Sequence, residues 1–246
     1  MISIITPSLN SAATIRQCIE SIRAQGVALE HIIIDGQSSD ETLKVVGQLT
    51  DSSTRVVSEP DSGLYAAMNK GIGLATGEVI GILNADDLYA ASDVLDDVSR
   101  LFNDPAVEAC YGDLEYVAAD DPGRVVRCWK AGAFERKRFY HGWMPPHPTL
   151  FLRRSVYESC GLFREDFGTA ADYEFMLRVF VKNGVEVRYI PRVLVHMRSG
   201  GASNRNLAAR WRANRNDARA WQVNGLRPKP WTTVAKPLRK IGQWWV

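Results

Sequence analysis

Long hydrophobic runs are absent: no apolar stretch approaches the ~20 residues that cross a bilayer. Cysteine is scarce. Cys18, Cys110, Cys128 and Cys160 are scattered without CxxC spacing, so they read as free thiols in a reducing cytosol and not as a disulfide frame or a zinc site. There is no GxxxxGK[ST] phosphate loop, no HExxH and no GxSxG. Gly71, Gly73 and Gly77 form GxGxxxG, but ahead of an apolar strand; a dinucleotide fingerprint follows one. The opening MISIITPSLN has neither a basic n-region nor a cleavage site, and no signal peptide is expected.

What is present is ordinary globular material. The 246 residues are 46% hydrophobic and 24% charged, which argues against disorder and fits one large domain, or one domain with an appendage. The net charge of +2 hides an asymmetry. Residues 198–246 carry 11 Lys/Arg against the single acid Asp217, and five of the seven tryptophans (Trp211, Trp221, Trp231, Trp244, Trp245). A basic, Trp-bearing end on an acidic body points to an anionic partner, nucleic acid or membrane surface, or to a solvated helix packing its rings on the body.

The first 112 residues alternate strand and helix. Short apolar runs at 2–5, 31–34, 55–58, 79–83 and 107–112 read as strands. Between them, helices are expected from Asn10 or Ser11 to Gln25, from a Ser39 cap onward, over 63–75, and over 92–103. Apolar strands alternating with helices imply a parallel sheet covered on both faces. Later, 114–119 and 125–129 read as a hairpin, 149–152, 185–190 and 193–196 as strands, 173–183 as a helix, and 204–224 as a long basic helix.

In such sheets ligands bind beyond the carboxyl ends of the strands. Four successive ends carry Thr6, Pro7 and Ser8; Asp35 and Gly36; Glu59, Pro60 and Asp61; and Asn84, Ala85, Asp86 and Asp87. Random placement would not gather polar groups at one edge. The Asp86–Asp87 pair suits a hard divalent cation, or else a helix cap near Ser92. Asp172 and Glu174 open a helix after a small-residue loop, where an acid serves the helix dipole or acts as a general base.

EPDSGLYAAMNKGIGLATGEVIGILNADD (residues 59–87), IITPSLNSAATIRQCIESI and IIIDGQSSDET together resemble glycosyltransferase family 2, over about residues 2–203. The nearest likeness is to small bacterial enzymes of polysaccharide and glycolipid synthesis. The resemblance implies an α/β fold of GT-A type: a Rossmann-like mixed, mainly parallel sheet flanked by helices, here with a basic C-terminal helical extension. It implies a GT-A domain over 1–203, with a nucleotide-sugar-binding half (1–112) and an acceptor half (113–203), followed by the Trp-rich tail (204–246). The implied activity is inverting transfer from a nucleotide-diphosphate sugar to a hydroxyl of a glycan or lipid-linked acceptor.

By the same resemblance Thr6, Pro7 and Ser8 line the nucleotide pocket, Asp35 and Ser38 meet the base, and Asp61, Asn69 and Lys70 border ribose and diphosphate. Asn84 and Asp86 fall on the DxD-type motif. Asp86, Asp87 and His196 are the implied ligands of Mn2+ or Mg2+. Asp172 is the implied catalytic base, His147 and Trp143 lie toward the acceptor, and Arg198 opens a loop with Gly200, Gly201, Ala202 and Ser203 that closes over the diphosphate. Two positions depart from the pattern: Asn84 replaces the first acid of DxD, and Ala171 replaces the Glu that ordinarily precedes the base.

In the tail, Val234, Leu238, Ile241 and Trp245 share a helical stripe flanked by Lys236, Arg239 and Lys240, a pattern suited to an anionic bilayer. The expected location is cytoplasmic, peripheral on the inner face of the cell membrane, with no nucleic acid partner. Two readings compete with the transferase. One is a nucleotidyltransferase, although residues 6–13 lack the Gly-rich basic loop it needs. The other is a non-enzymatic protein that binds nucleic acid or membrane through the tail.

Overall fold

The computed structural model describes residues 1–200 and 207–232, with side chains for 1–200 and 215–232. Gly201, Ala202 and Ser203, the Trp211 side chain and the 234–245 stripe, including Trp244 and Trp245, lie outside the described residues.

The N-terminal half alternates as its apolar pattern dictates: β1 (Ile2–Ser8), α1 (Ile15–Arg23), β2 (Leu29–Asp35), α2 (Thr42–Leu49), β3 (Thr54–Ser58), α3 (Leu64–Leu74) and β4 (Val79–Ile82). These four strands pair in parallel in the order β3-β2-β1-β4. Then come β5 (Leu88–Tyr89), α4 (Val94–Phe102), β6 (Ala109–Val117), β7 (Val125–Trp129), β8 (Phe151–Arg153), α5 (Arg154–Cys160), α6 (Ala171–Met176), β9 (Val187–Arg198) and α7 (Leu207–Val223). The sheet continues past β4 as β8-β6-β9-β5, with β7 on β6. β6 and β9 are parallel; β8, β5 and β7 pair antiparallel to their neighbours. The result is the mixed α/β sheet flanked by helices that the sequence implies.

Strand residues alternate between two cores. Ile5, Ile32, Ile34, Ile80 and Ile82 face α3, α5 and α6, while Ile2, Ile4, Val79 and Leu83 face α1 and α4. Each fully buried side chain of this size contributes about 1.5–3 kcal/mol. Gly71, left over from the discounted GxGxxxG, has a packing role: a Cβ there would collide with Ile5 and touch Ile34, so its absence lets α3 lie close on β1 and β2.

Several boundaries differ from expectation. The strand at 107–112 and the hairpin arm at 114–119 are one strand, β6, which therefore runs across the expected 112/113 division of the two halves. The strands at 185–190 and 193–196 are also one, β9, despite Pro191. The register between β6 and β9 shifts between the Tyr111–Tyr189 and Asp113–Val193 pairs, leaving residues 190–192 without a partner on β6, and this bulge accommodates Pro191, which cannot donate to a ladder. α1 begins at Ile15 after a turn on the Ser11 carbonyl, not with an Asn10 or Ser11 side-chain cap. Asn10 instead has φ 49° and accepts from the Ser39 backbone N–H at 2.9 Å. Asp40, not Ser39, serves the start of α2, accepting from the Thr42 N–H at 3.0 Å. The helix expected over 173–183 starts at Ala171 and continues as π-helix from Leu177 to Lys182.

α7 packs on the body. Trp221 is fully buried, packs against Tyr140 in a tilted pair with ring centroids 4.7 Å apart, and donates its N–H to the Tyr173 hydroxyl at 3.0 Å. Asn216 donates to the Phe167 carbonyl and Asn224 to Glu174. This ring of the basic tail is therefore closed to any bilayer. No helix among the described residues is long and apolar enough to cross a membrane.

Candidate active site

Parallel pairing brings the first four strand ends to one edge, as expected. Ser8, Asp35 and Ser58 stand in register across β1, β2 and β3. Asp35 is fully buried and accepts three hydrogen bonds: from the Ser38 N–H at 2.9 Å, the Ser38 hydroxyl at 2.5 Å and the Ser58 hydroxyl at 2.8 Å. A carboxylate has about four acceptor positions, so Asp35 is fixed in place with little capacity left over. Asp61 lies over the end of β2, and a Cβ at Gly36 would stand 2.8 Å from its Oδ2, which is why a glycine follows Asp35. Asp61 Oδ1 also accepts the Gly63 N–H at 2.8 Å.

Other residues of this group are engaged with protein. Thr6 is buried, with its hydroxyl 3.0 Å from His31 Nε2, and Pro7 is buried beside it. Lys70 pairs with Glu59 at 2.8 Å. The Asn69 amide clamps the Phe163 backbone in both directions, at 2.9 and 3.0 Å, tying α3 to the segment before α6.

The β4 end is built differently. β5 separates Asp86 and Asp87 from α4, whose N-cap is Asp93, so neither acid caps that helix. Asn84 donates to Asp87 Oδ2 at 2.9 Å. Asp87 is fully buried; burial, reinforced by the Asp86 charge, pushes its carboxyl up to about 8. The end of β9 brings Arg198 to the same place, where its charge and its backbone favour ionised Asp87. The Arg198 guanidinium is held by Gln17 of α1.

Buried polar atoms in native proteins almost always find partners. Here Ser8 Oγ, Asn84 Oδ1, Asp87 Oδ1 and Arg198 Nε have none among the described residues, and all four belong to this edge. Hard oxygen donors, two of them orphaned, beside the half-buried Asp86 carboxylate fit a divalent cation. His196 does not join them. Its Nε2 lies 3.2 Å from Glu115, and no cluster of three or more His, Cys, Asp or Glu side chains suited to a metal ion occurs among the described residues.

Asp172 stands half-buried in the first turn of α6, its Oδ1 accepting the Tyr173 N–H at 2.7 Å. Its charge acts on His147, whose pKa burial lowers and Asp172 raises, leaving burial dominant and the ring neutral. His147 stands edge-on to Phe163, with centroids 5.4 Å apart. Trp143 is not on this surface: it is 5% exposed, packed against Tyr111, Phe134 and Phe139, with its N–H on the Ala131 carbonyl. Glu174 is no second acid for chemistry either; it forms a buried ion pair with Arg178 at 2.9 Å.

The sequence reading missed two tyrosines. Tyr65 feels the charge of Asp172, and Tyr116 feels those of both Asp87 and Asp172, though burial is the larger influence on each hydroxyl. The Arg127 guanidinium lies 4.3 Å over the Tyr116 ring. Strand pairing of β6 with β7 and β9 makes this arrangement, and no local spacing signals it.

A PGL/p-HBAD biosynthesis glycosyltransferase of Mycobacterium bovis (strain BCG / Pasteur 1173P2) is 31% identical over 211 residues, covering 83% of this chain and 79% of its own. The uncharacterized glycosyltransferase Rv1514c of Mycobacterium tuberculosis is 31% identical over 194 residues, 72% of this chain and 68% of its own. Among solved structures, S. aureus TarS 1-349 in complex with UDP-GlcNAc superposes with TM-score 0.67 at 16% identity, over 91% of this chain and 70% of that one. Full TarS is spanned to only 42% of its length. The mannosyltransferase PcManGT from Pyrobaculum calidifontis, in complex with GDP-Man and Mn2+, gives 0.65 at 21% identity, over 95% and 67%. At these identities the structural likeness is one of fold. The family model described as Glycosyl transferase family 2 matches residues 3–160, which include the ends of β1 to β4, and the chain belongs to that family.

Proposed function

We propose that the chain transfers a sugar, with inversion, from a nucleotide-diphosphate sugar to a hydroxyl of a glycan or lipid-linked acceptor. The observation that carries this is the set of four orphaned polar atoms, Ser8 Oγ, Asn84 Oδ1, Asp87 Oδ1 and Arg198 Nε, at the strand edge. In this reading Ser38 and Asp61, with the acceptor position Asp35 has left, receive the nucleoside. Asp86, with oxygens of Asp87 and Asn84, would hold Mn2+ or Mg2+, which when bound offsets charge on the departing diphosphate. Arg198 adds a fixed cation at the same place.

In the displacement, the acceptor oxygen forms its bond to the anomeric carbon as the bond to the diphosphate oxygen breaks. Attack comes from the face opposite the leaving group, so the anomeric configuration inverts. Asp172 takes the hydroxyl proton. His147, half-buried and with its pKa lowered by desolvation, is a neighbour for an acceptor hydroxyl. The relatives named for PGL/p-HBAD biosynthesis favour a lipid-linked acceptor, and with it a peripheral position at the inner face of the cell membrane.

Asp172→Asn tests the assignment. Release of nucleoside diphosphate from UDP-, GDP- and dTDP-sugars falls by about 10²–10⁴ for loss of a general base, while donor affinity stays within twofold. Undiminished release in Asp172→Asn removes Asp172 from the chemistry.

A further inference from the structure

The tail returns along the body after α7. Gly225, at φ 70°, turns the chain, and Thr232 donates to the Tyr140 carbonyl at 2.7 Å. This lays residues 227–231 beside the 3₁₀ helix Arg136–His141. The Trp231 ring lies 6.3 Å from that of His141, and Lys229 Nζ is 5.3 Å from the Trp231 ring. Two basic segments far apart in sequence thus form one patch. Arg136, Lys137, Arg227 and Lys229 are all exposed, and none of the four is in an ion pair among the described residues. Trp231 is 50% exposed at its centre. Pro228 and Pro230 bracket Lys229 and fix φ at both positions, so the ring is presented on a stiff loop.

Uncompensated cations around a half-exposed Trp match an anionic lipid surface: each basic side chain is drawn to headgroup charge, and an indole settles at the polar–apolar boundary. A nucleic acid single strand calls for several rings spaced along a groove; the described patch offers a single indole, with His141 beside it. We propose that this patch docks the protein on an anionic phospholipid bilayer, Trp231 entering the interface and Arg136, Lys137, Arg227 and Lys229 lying against the headgroups. The site differs from the 234–245 stripe that the sequence suggested and uses a body segment the sequence did not single out. Binding at this patch does not rest on the proposed function.

Flotation of the full-length chain with vesicles of 30% phosphatidylglycerol in phosphatidylcholine, against phosphatidylcholine alone, tests this. The wild type floats with the anionic vesicles only. Arg136→Gln/Lys137→Gln lowers partitioning about thirtyfold, and Trp231→Ala lowers it as well. These side chains are exposed, so melting temperature and any stabilisation by nucleoside diphosphates stay at wild-type values, and a failed donor reading is distinguishable from a failed patch. Absence of wild-type flotation overturns the proposal. So does flotation of the variants equal to wild type, or tighter retention on single-stranded DNA than on anionic vesicles at the same salt.

Discussion

His31 ties the stability of the fold to pH through a single ring. It is fully enclosed on β2, its Nε2 beside the Thr6 hydroxyl, and burial lowers its pKa to about 4. The folded state therefore holds the neutral ring, whereas the unfolded chain protonates near 6.5. Its contribution to stability is intact above pH 6.5 and is lost as pH falls from 6.5 toward 4, reaching roughly 3 kcal/mol at one pKa unit per 1.36 kcal/mol. Denaturant midpoints across this range measure the slope, and His31→Gln flattens it; an unchanged slope contradicts the assignment. Nothing in the sequence marked His31, because its neighbours on β2 are simply apolar. By contrast the places of Asp35 and Asp86 at strand ends and of Asp172 at a helix start were legible, since each is a local pattern that needs no knowledge of the tertiary fold. Trp143, set toward the acceptor by resemblance alone, is core instead, because Phe134 and Phe139 pack around it.

Among elements, α6 and α7 depend on one buried ion pair. Glu174, 1% exposed, receives Arg178 on both oxygens and Asn224 just past the end of α7, and Arg178 also holds the Cys160 and Leu162 carbonyls. Glu174→Ala leaves an uncompensated buried guanidinium and costs about 3–5 kcal/mol, read as a fall in the chemical-denaturation midpoint. A loss below 1 kcal/mol contradicts the bolt. Because Asp172 is two residues away, a locally melted α6 in this variant also lowers transfer. The length of α7 was readable in the sequence, but its buried face was not. Asn216, Ala220, Trp221 and Asn224 form a mixed polar stripe that meets backbone carbonyls and a carboxylate, a face that hydrophobic periodicity does not register. β6 and β9 were each read as two pieces, because Gly112 and Pro191 look like breakers until the bulge between the two strands is seen.

For the whole molecule, the decisive feature is a sheet whose parallel half aligns four strand ends and whose later strands return Arg198 and Tyr116 to the same edge. The first part follows from strand–helix alternation and was legible in the sequence. The second depends on long-range pairing of β6 with β9 and was not. Thermal stability with UDP, GDP, dTDP and CMP, each with and without Mn2+, measures the account as a whole. A ligand that binds only the folded state raises the melting point by mass action; at 100 times Kd the gain is about 2.7 kcal/mol, or roughly 5–10 °C for a chain of this size. One diphosphate class is expected to give that rise with Mn2+ and little without it, with the metal dependence lost in Asp86→Ala and kept in Asp172→Asn. No rise with any nucleotide, or a rise indifferent to both Mn2+ and Asp86, contradicts a nucleotide-sugar site at this edge.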